Sequence, residues 1–242
     1  MTTIDSELGI GIYTAREAAL YARVSPRLMG RWVFGDNQGE SVITAQIGIR
    51  EETKIVTFLD FVQALAIRSI RSTFKIPLPK IRQAVQQAKD KFGVEYPFAM
   101  KHTTYLCSDG QKKGHGEIII RVGDSVGDSE FKERYVQISG KRRGNLVMKE
   151  VVELYLEDLS FDDSGVANEY CAWKQGDGKV VMNPHRRFGE PVIPSCGYTA
   201  ETLYEASINE GGIDAAAEAF GVSRDDVKLA WSYFDHLNMP TV

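Results

Sequence analysis

Residues 10–35 read IGIYTAREAALYARVSPRLMGRWVFG, two short helical patterns around a tight turn, and the reading of that pair decides the fold. Thr14 stands three residues before Glu17, the spacing of a capping box in which each side chain satisfies an orphaned amide of the first turn. A helix therefore starts there, carries Ala18, Ala19 and Tyr21 on its packed side, and breaks over Ala22 to Val24. Ser25 caps a second helix with Pro26 at its first position, where the missing amide does no harm, and this helix runs to about Val33. Arg27 and Arg31, four residues apart, share a face, and Arg16 and Arg23 come from the preceding helix and turn. A helix pair of this length suits a major groove, where arginine forks to guanine edges or neutralises phosphate. The same residues also fit a packing hairpin with a solvated face, and both readings stand at this stage. Trp32 is expected in the pair's own core, while Gly30 permits close approach to another backbone and weakens the helix by about 1 kcal/mol relative to alanine.

Outward from this pair, Gly35 to Gly39 supplies turn chemistry, and ESVITAQIGI or TKIVTF forms short paired strands or an irregular wing. Phe58, Phe61, Val62, Leu65 and Ile70 then recur at helical intervals, as do Leu78, Ile81, Val85 and Phe92 after the interruption at Pro77 and Pro79. Two more amphipathic helices follow the first pair. Between Arg68 and Lys91 seven basic residues face the single acid Asp90, a local positive field in which Arg68, Arg71, Lys80 and Arg82 are candidates for flanking phosphates. A solvated helix face is the alternative.

From Tyr96 to about Lys179 the pattern changes to YLCSDG, GEIIIRV, RYVQIS and VVELYLEDLSF between polar or glycine-rich turns, which reads as short strands with room for one helix. The stretch from Asp162 to Gly197 reads as a connector with small strands and tight turns. Helical patterns return at the end: Thr199 caps AETLYEASINE, Gly211 and Gly212 stop it, Ile213 to Phe220 forms a second helix closed by Gly221, and Ser223 with Asp226 opens a third.

Composition bounds what such a chain does. The 242 residues are 43% apolar and 26% charged, and the net charge of −4 excludes a wholly basic polyanion binder, so any DNA site is local. Cys107, Cys171 and Cys196 are an odd and scattered set, which argues against a disulfide framework. The start has no basic region followed by an apolar core, and no run approaches 18 apolar residues, so a cytoplasmic chain without a membrane association is expected.

Enzymatic readings have less to stand on. Glu150, Glu153, Glu157, Asp158, Asp162 and Asp163 cluster in EVVELYLEDLSFDD, and paired carboxylates hold Mg²⁺ or exchange protons, but no nucleophile or convergent base completes a site. His102, His115, His185 and His236 have no zinc spacing, Cys196 is expected as a small turn residue, and GDSVGDSE lacks the lysine and glycine spacing of a phosphate loop. No catalytic residue, metal ligand or cofactor is expected.

Asn183 to Leu237 resembles the DUF433 family, a small helix-turn-helix type domain of many antitoxins, through the Asn183-Pro184 turn, FGEPVI, the glycine break and GVSRDDVKLAWSYF. Where members carry a glycine, threonine, arginine, isoleucine run, this chain has Ser195, Cys196, Gly197 and Tyr198. Thr14 to Trp32 with Phe58 to Val85 is similar to the winged helix of MerR-like regulators, and the combination resembles the large VapB-type antitoxins of mycobacteria. That resemblance implies a PIN-domain ribonuclease toxin as partner, operator DNA as ligand, and a homodimer matching operator symmetry. It also implies a basic segment that meets the acidic toxin site, for which Lys174, Lys179, Arg186 and Arg187 of KQGDGKVVMNPHRRFG are candidates beside an ordinary linker.

The expected architecture is α+β: a winged-helix-like unit over residues 1–95, a small strand-rich middle and connector over 96–182, and a three-helix, helix-turn-helix-like unit over 183–242. The expected function is a type II antitoxin that neutralises a toxin and represses its operon, with Arg16, Arg23, Arg27, Arg31, Arg68 and Arg71 on DNA. A stand-alone DNA-binding regulator is the alternative, and a Mg²⁺-dependent nuclease built on the Glu150 to Asp163 acids is a third reading.

Overall fold

The structure is a computed structural model that describes residues 9–36, 39–50, 52–101, 103–108, 117–122 and 157–239. His102, His115, Glu150, Glu153, RYVQIS and GDSVGDSE lie outside the described residues.

The chain is mixed α+β, with helices at both ends and antiparallel strands between them. Strand β1 (Ile12–Thr14) leads into α1 (Ala15–Tyr21) and α2 (Pro26–Phe34), which are followed by β2 (Gly48–Arg50), β3 (Thr53–Thr57), α3 (Phe58–Phe74) and α4 (Leu78–Phe92). Both expected capping signals are formed: Thr14 Oγ1 accepts from the Glu17 amide at 3.1 Å while Glu17 accepts from the Thr14 amide at 2.7 Å, and Ser25 Oγ accepts from the Leu28 amide at 3.2 Å. The stretch after Gly35 resolves into pairing. β3 lies between β1 and β2, with Thr14 opposite Ile55 and Ile49 opposite Lys54, so one strand ties the entry of α1 to the hairpin.

α3 begins with a second capping box, Thr57 with Asp60, and both residues are fully buried. The Asp60 carboxylate accepts from the Thr57 amide at 3.0 Å and the Gln46 amide at 3.1 Å, so it also anchors the loop before β2. Burial pushes its carboxyl above the ordinary value although these hydrogen bonds pull it down. Pro77 precedes α4, and Gly93, at φ +66°, closes it in the left-handed conformation that glycine adopts without strain.

The middle holds the hairpin β4 (Thr103–Ser108) and β5 (Glu117–Val122), then a four-stranded antiparallel sheet of β6 (Leu159–Phe161), β7 (Ala167–Gln175), β8 (Gly178–Met182) and β9 (Pro191–Val192). Much of the expected connector is thus sheet, and β7 spans nine residues. The chain ends in α5 (Ala200–Asn209), α6 (Ile213–Phe220) and α7 (Arg224–Asn238), with Thr199 capping α5 and Ser223 capping α7.

The sheet joins the two helical ends. Leu159, Ala167 and Met182 belong to the core built by α1 to α4, whereas Val180 and Ile193 belong to the core under α5 and α7. The Phe61 and Tyr170 rings meet edge to face at 5.6 Å, and Tyr13, 2% exposed, donates its hydroxyl to the Gly189 carbonyl at 2.7 Å. The Asn183 to Glu190 turn is therefore fastened to β1. No helix among the described residues is long and apolar enough to cross a membrane.

Candidate nucleic-acid interface

α2 is nine residues long, and its geometry sorts them cleanly. Met29, Trp32 and Val33 are buried against the core, which turns Arg27, Gly30 and Arg31 to the opposite side, while Phe34 is half-buried at the core's edge. Trp32, 2% exposed, is a core residue as expected. Arg16 on α1 and Arg27 in the first turn of α2 are both exposed. Arg31 lies 3.4 Å from Asp36 in a half-exposed ion pair, which positions its guanidinium but is worth little stability.

Lys54 of β3 brings another cation to the end of α2, with its ammonium 5.5 Å from the centroid of the Phe34 ring. Sequence reasoning passed over it. The signal was the TKIVT alternation opposite Gly48 to Arg50, which identifies a hairpin but not the helix its side chains approach.

Arg23, Arg68, Arg71 and Arg82 instead donate to carbonyls of the chain itself. Arg68 Nη1 donates to the Ala22 carbonyl at 2.8 Å, closing the C-terminus of α1, and Arg71 Nη1 donates to the Ile76 carbonyl at 3.2 Å. Burial lowers the pKa of both guanidinium groups from a value so high that each stays charged. Arg82 Nε donates to the Ser41 carbonyl at 2.7 Å, and its Nη2 reaches the Glu40 carbonyl. Arg23 occupies the turn between α1 and α2 at φ +50°, with Nη1 3.2 Å from His236 Nε2 and Nη2 donating to the Met239 carbonyl at 3.2 Å. Of the six arginines expected on DNA, Arg16 and Arg27 are exposed and Arg31 is half-exposed, whereas Arg23, Arg68 and Arg71 are half-buried and each donates to a backbone carbonyl, Arg71 lying near enough to Arg31 for that charge to lower its pKa.

The four basic residues expected at a toxin fall into two pairs. Lys174 and Lys179 are directly opposite across β7 and β8 near their turn, where Lys174 contacts Asp158 at 2.8 Å and Lys179 approaches Glu169 at 3.9 Å. Arg186 and Arg187 follow the other end of β8, exposed in the turn docked on β1. Arg187 and Phe188 have φ of +46° and +54°, and Phe188 is 61% exposed.

Asp162 accepts from Ser164 and the Val166 amide, interactions that hold its carboxyl below the usual range and spend it on a turn. Burial raises the Cys171 and Cys196 thiols, the direction that suppresses thiolate. Among the described residues no three histidine, cysteine or acidic side chains are placed to hold a metal ion.

The two helical ends carry opposite charge. Residues 10–95 contain thirteen basic and eight acidic residues, whereas residues 199–239 contain two basic and eight acidic ones. Only the first is suited to polyanion contact.

The chain is 25% identical over 237 residues to a Mycobacterium tuberculosis protein named as a VapB-family antitoxin, VapB45, covering 94% of this chain and 95% of that one. It is also 25% identical over 238 residues to the M. tuberculosis protein Rv2308, covering 90% of each. The crystal structure of Rv2018 from M. tuberculosis superposes with a TM-score of 0.63 at 23% identity, covering 93% of this chain and 99% of that one, a likeness of fold. No family model matches the chain, so the DUF433 resemblance rests on its own residues, Asn183 to Leu237.

Proposed function

We propose that this chain is a DNA-binding antitoxin, without catalytic activity of its own, that neutralises a PIN-domain ribonuclease toxin and represses the operon encoding both. The observation that carries this reading is the similarity to VapB45 along 94% of the chain. Three units divide the labour. Residues 1–95 bind operator DNA through Arg16, Arg27 and Arg31, with Arg23, Arg68 and Arg71 holding the helix ends that aim them. Residues 96–182 form the strand-rich middle. Residues 183–242 form the DUF433-like end, whose excess of acidic residues supports the reading that the N-terminal unit makes the DNA contact.

A homodimer in the cytoplasm places two copies of α2 on a symmetric operator. Toxin contact falls to the basic residues beside the sheet. Arg186 and Arg187 are the better placed pair, because they are exposed next to the exposed Phe188 ring, while Lys174 already contacts Asp158.

Co-expression with the adjacent open reading frame tests the whole reading. A stoichiometric complex whose RNase activity emerges only when this chain is removed is the expected result. Absence of any complex, with operator binding retained, leaves a stand-alone regulator, the reading that the exposed Arg27 and half-exposed Arg31 on the outer side of α2 favour by themselves.

A further inference from the structure

Gly30 lies in the middle of α2, on its outer side, and nothing among the described residues requires a glycine there. A Cβ built at this position meets no heavy atom within 4 Å. Its φ is not in the left-handed region, unlike Gly35 at the end of the same helix with φ +78°. Glycine is, after proline, the residue least suited to a helix interior, and in a helix of nine residues each such position weighs heavily. The molecule therefore keeps a helix-weakening residue at a position where the described packing leaves open space for a Cβ.

The surroundings of this bare patch are cationic. Arg27 lies one turn before Gly30, Arg31 follows it, and Lys54 reaches the Phe34 ring at the helix end. Arg31 is already oriented by Asp36. A flat strip of backbone flanked by arginines is complementary to a polyanion that must come close at the centre and be gripped at the sides.

We infer that Gly30 is a positioning residue that sets how closely the α2 backbone approaches duplex DNA, an inference that rests on the DNA reading above. Arg27 and Arg31 reach base edges or phosphates only as far as the helix is seated. A side chain at position 30 holds the helix off the duplex and shortens the reach of both at once. Gly30 makes no contact of its own with a base, so its replacement weakens binding through its neighbours.

The signature of this role is a pair of opposite effects. The full-length wild-type chain is used to select duplexes from a random-sequence DNA library. Affinity for the enriched duplex and for a scrambled duplex is then measured with wild type, Gly30→Ala, Gly30→Leu and Arg27→Ala, alongside thermal unfolding and sedimentation. Gly30→Ala is expected to raise Tm by about 2 to 4 °C, because alanine favours the helix and has open space for its methyl group. It is also expected to weaken binding to the enriched duplex about tenfold, and Gly30→Leu to weaken it about a hundredfold, with a smaller loss on the scrambled duplex.

Unchanged affinity in a more stable Gly30→Ala protein overturns the inference, and so does a lower Tm, which would mean that the fold itself needs the glycine. A change in self-association with DNA binding intact overturns it too, and assigns the face to a second copy of the chain. Failure to enrich any duplex removes the DNA reading itself, an outcome distinct from a duplex that is enriched but indifferent to position 30.

Discussion

Arg23 and His236, 213 residues apart in the chain, are joined by a hydrogen bond of 3.2 Å between the guanidinium Nη1 and the imidazole Nε2. Arg23 forms the turn between α1 and α2, and His236 lies in the last turn of α7, stacked on Trp173 with centroids 4.3 Å apart. The Trp173 indole N–H in turn donates to Ser232 Oγ on α7 at 2.8 Å. The turn that aims the candidate recognition helix is thus held by the opposite end of the chain.

That hydrogen bond makes stability depend on pH. His236 accepts from Arg23 only through an unprotonated Nε2. Burial first, then the charges of Arg23 and Arg68, lower its pKa from the ordinary value of about 6.5. The folded state then binds fewer protons than the unfolded one, so the contribution is complete above about pH 6.5 and is lost as pH falls through the depressed folded value. Urea midpoints should therefore drop further between pH 7 and pH 5 in the wild type than in His236→Gln. Parallel drops in the two proteins would show that the imidazole does not carry the effect.

Gly189 is expected to tolerate no side chain. Its φ is +90°, and a Cβ would fall on the Tyr13 hydroxyl that donates to its own carbonyl. Gly189→Ala should cost about 2 kcal/mol or more, from backbone strain and displacement of the buried tyrosine. Tyr13→Phe removes only the donor to a buried carbonyl and should cost about 1 to 3 kcal/mol. Denaturant unfolding ranks the two, and a Gly189→Ala protein as stable as wild type would contradict the packing described.

The arginines should separate into two classes. Arg68→Ala deprives the Ala22 carbonyl of its donor and should destabilise the fold by about 1 to 3 kcal/mol. Arg27→Ala, on an exposed first turn, should leave Tm within a degree or two yet weaken specific DNA binding by about 1 to 3 kcal/mol if it reaches a base. If Arg27 instead neutralises a phosphate, its removal lowers the salt dependence of binding by about one unit of slope. Melting curves and affinities at two salt concentrations, taken on both variants, decide it. An Arg68→Ala protein of unaltered stability and reduced DNA affinity would move Arg68 to the interface.

Thr57→Ala tests the buried capping box. Thr57 Oγ1 accepts from the Asp60 amide at 3.3 Å in a fully buried setting, so water cannot replace it, and a loss of about 1 to 2 kcal/mol is expected. The companion effect is local: amide exchange should accelerate in the first turn of α3. Unchanged exchange there would show that Asp60 alone holds the helix start.

The amino-acid sequence by itself determined the helices, because their signals are short range. A cap at Thr14, Ser25, Thr199 or Ser223 meets an amide three residues on, and the buried positions of α2 follow from a 3.6-residue period. The same logic left the pairing of β2 with β3 open, since a three-residue strand carries too little pattern to name its partner. It also read β7 as part of a connector, because the strand is half-buried along most of its length and shows no strict alternation.

Only the tertiary structure decided which cations face outward. Arg16, Arg23, Arg27, Arg31, Arg68 and Arg71 all occupy polar positions in the linear pattern. Whether such a position meets solvent or the carbonyl end of another helix depends on where α1, α3 and α7 come to lie. Arg68 met Ala22 and Arg23 met Met239, because a helix end or chain end brought there by packing had carbonyls without donors, and a guanidinium within reach satisfies them. Arg27 faced no such carbonyl among the hydrogen bonds described, and it remains on the outside of α2.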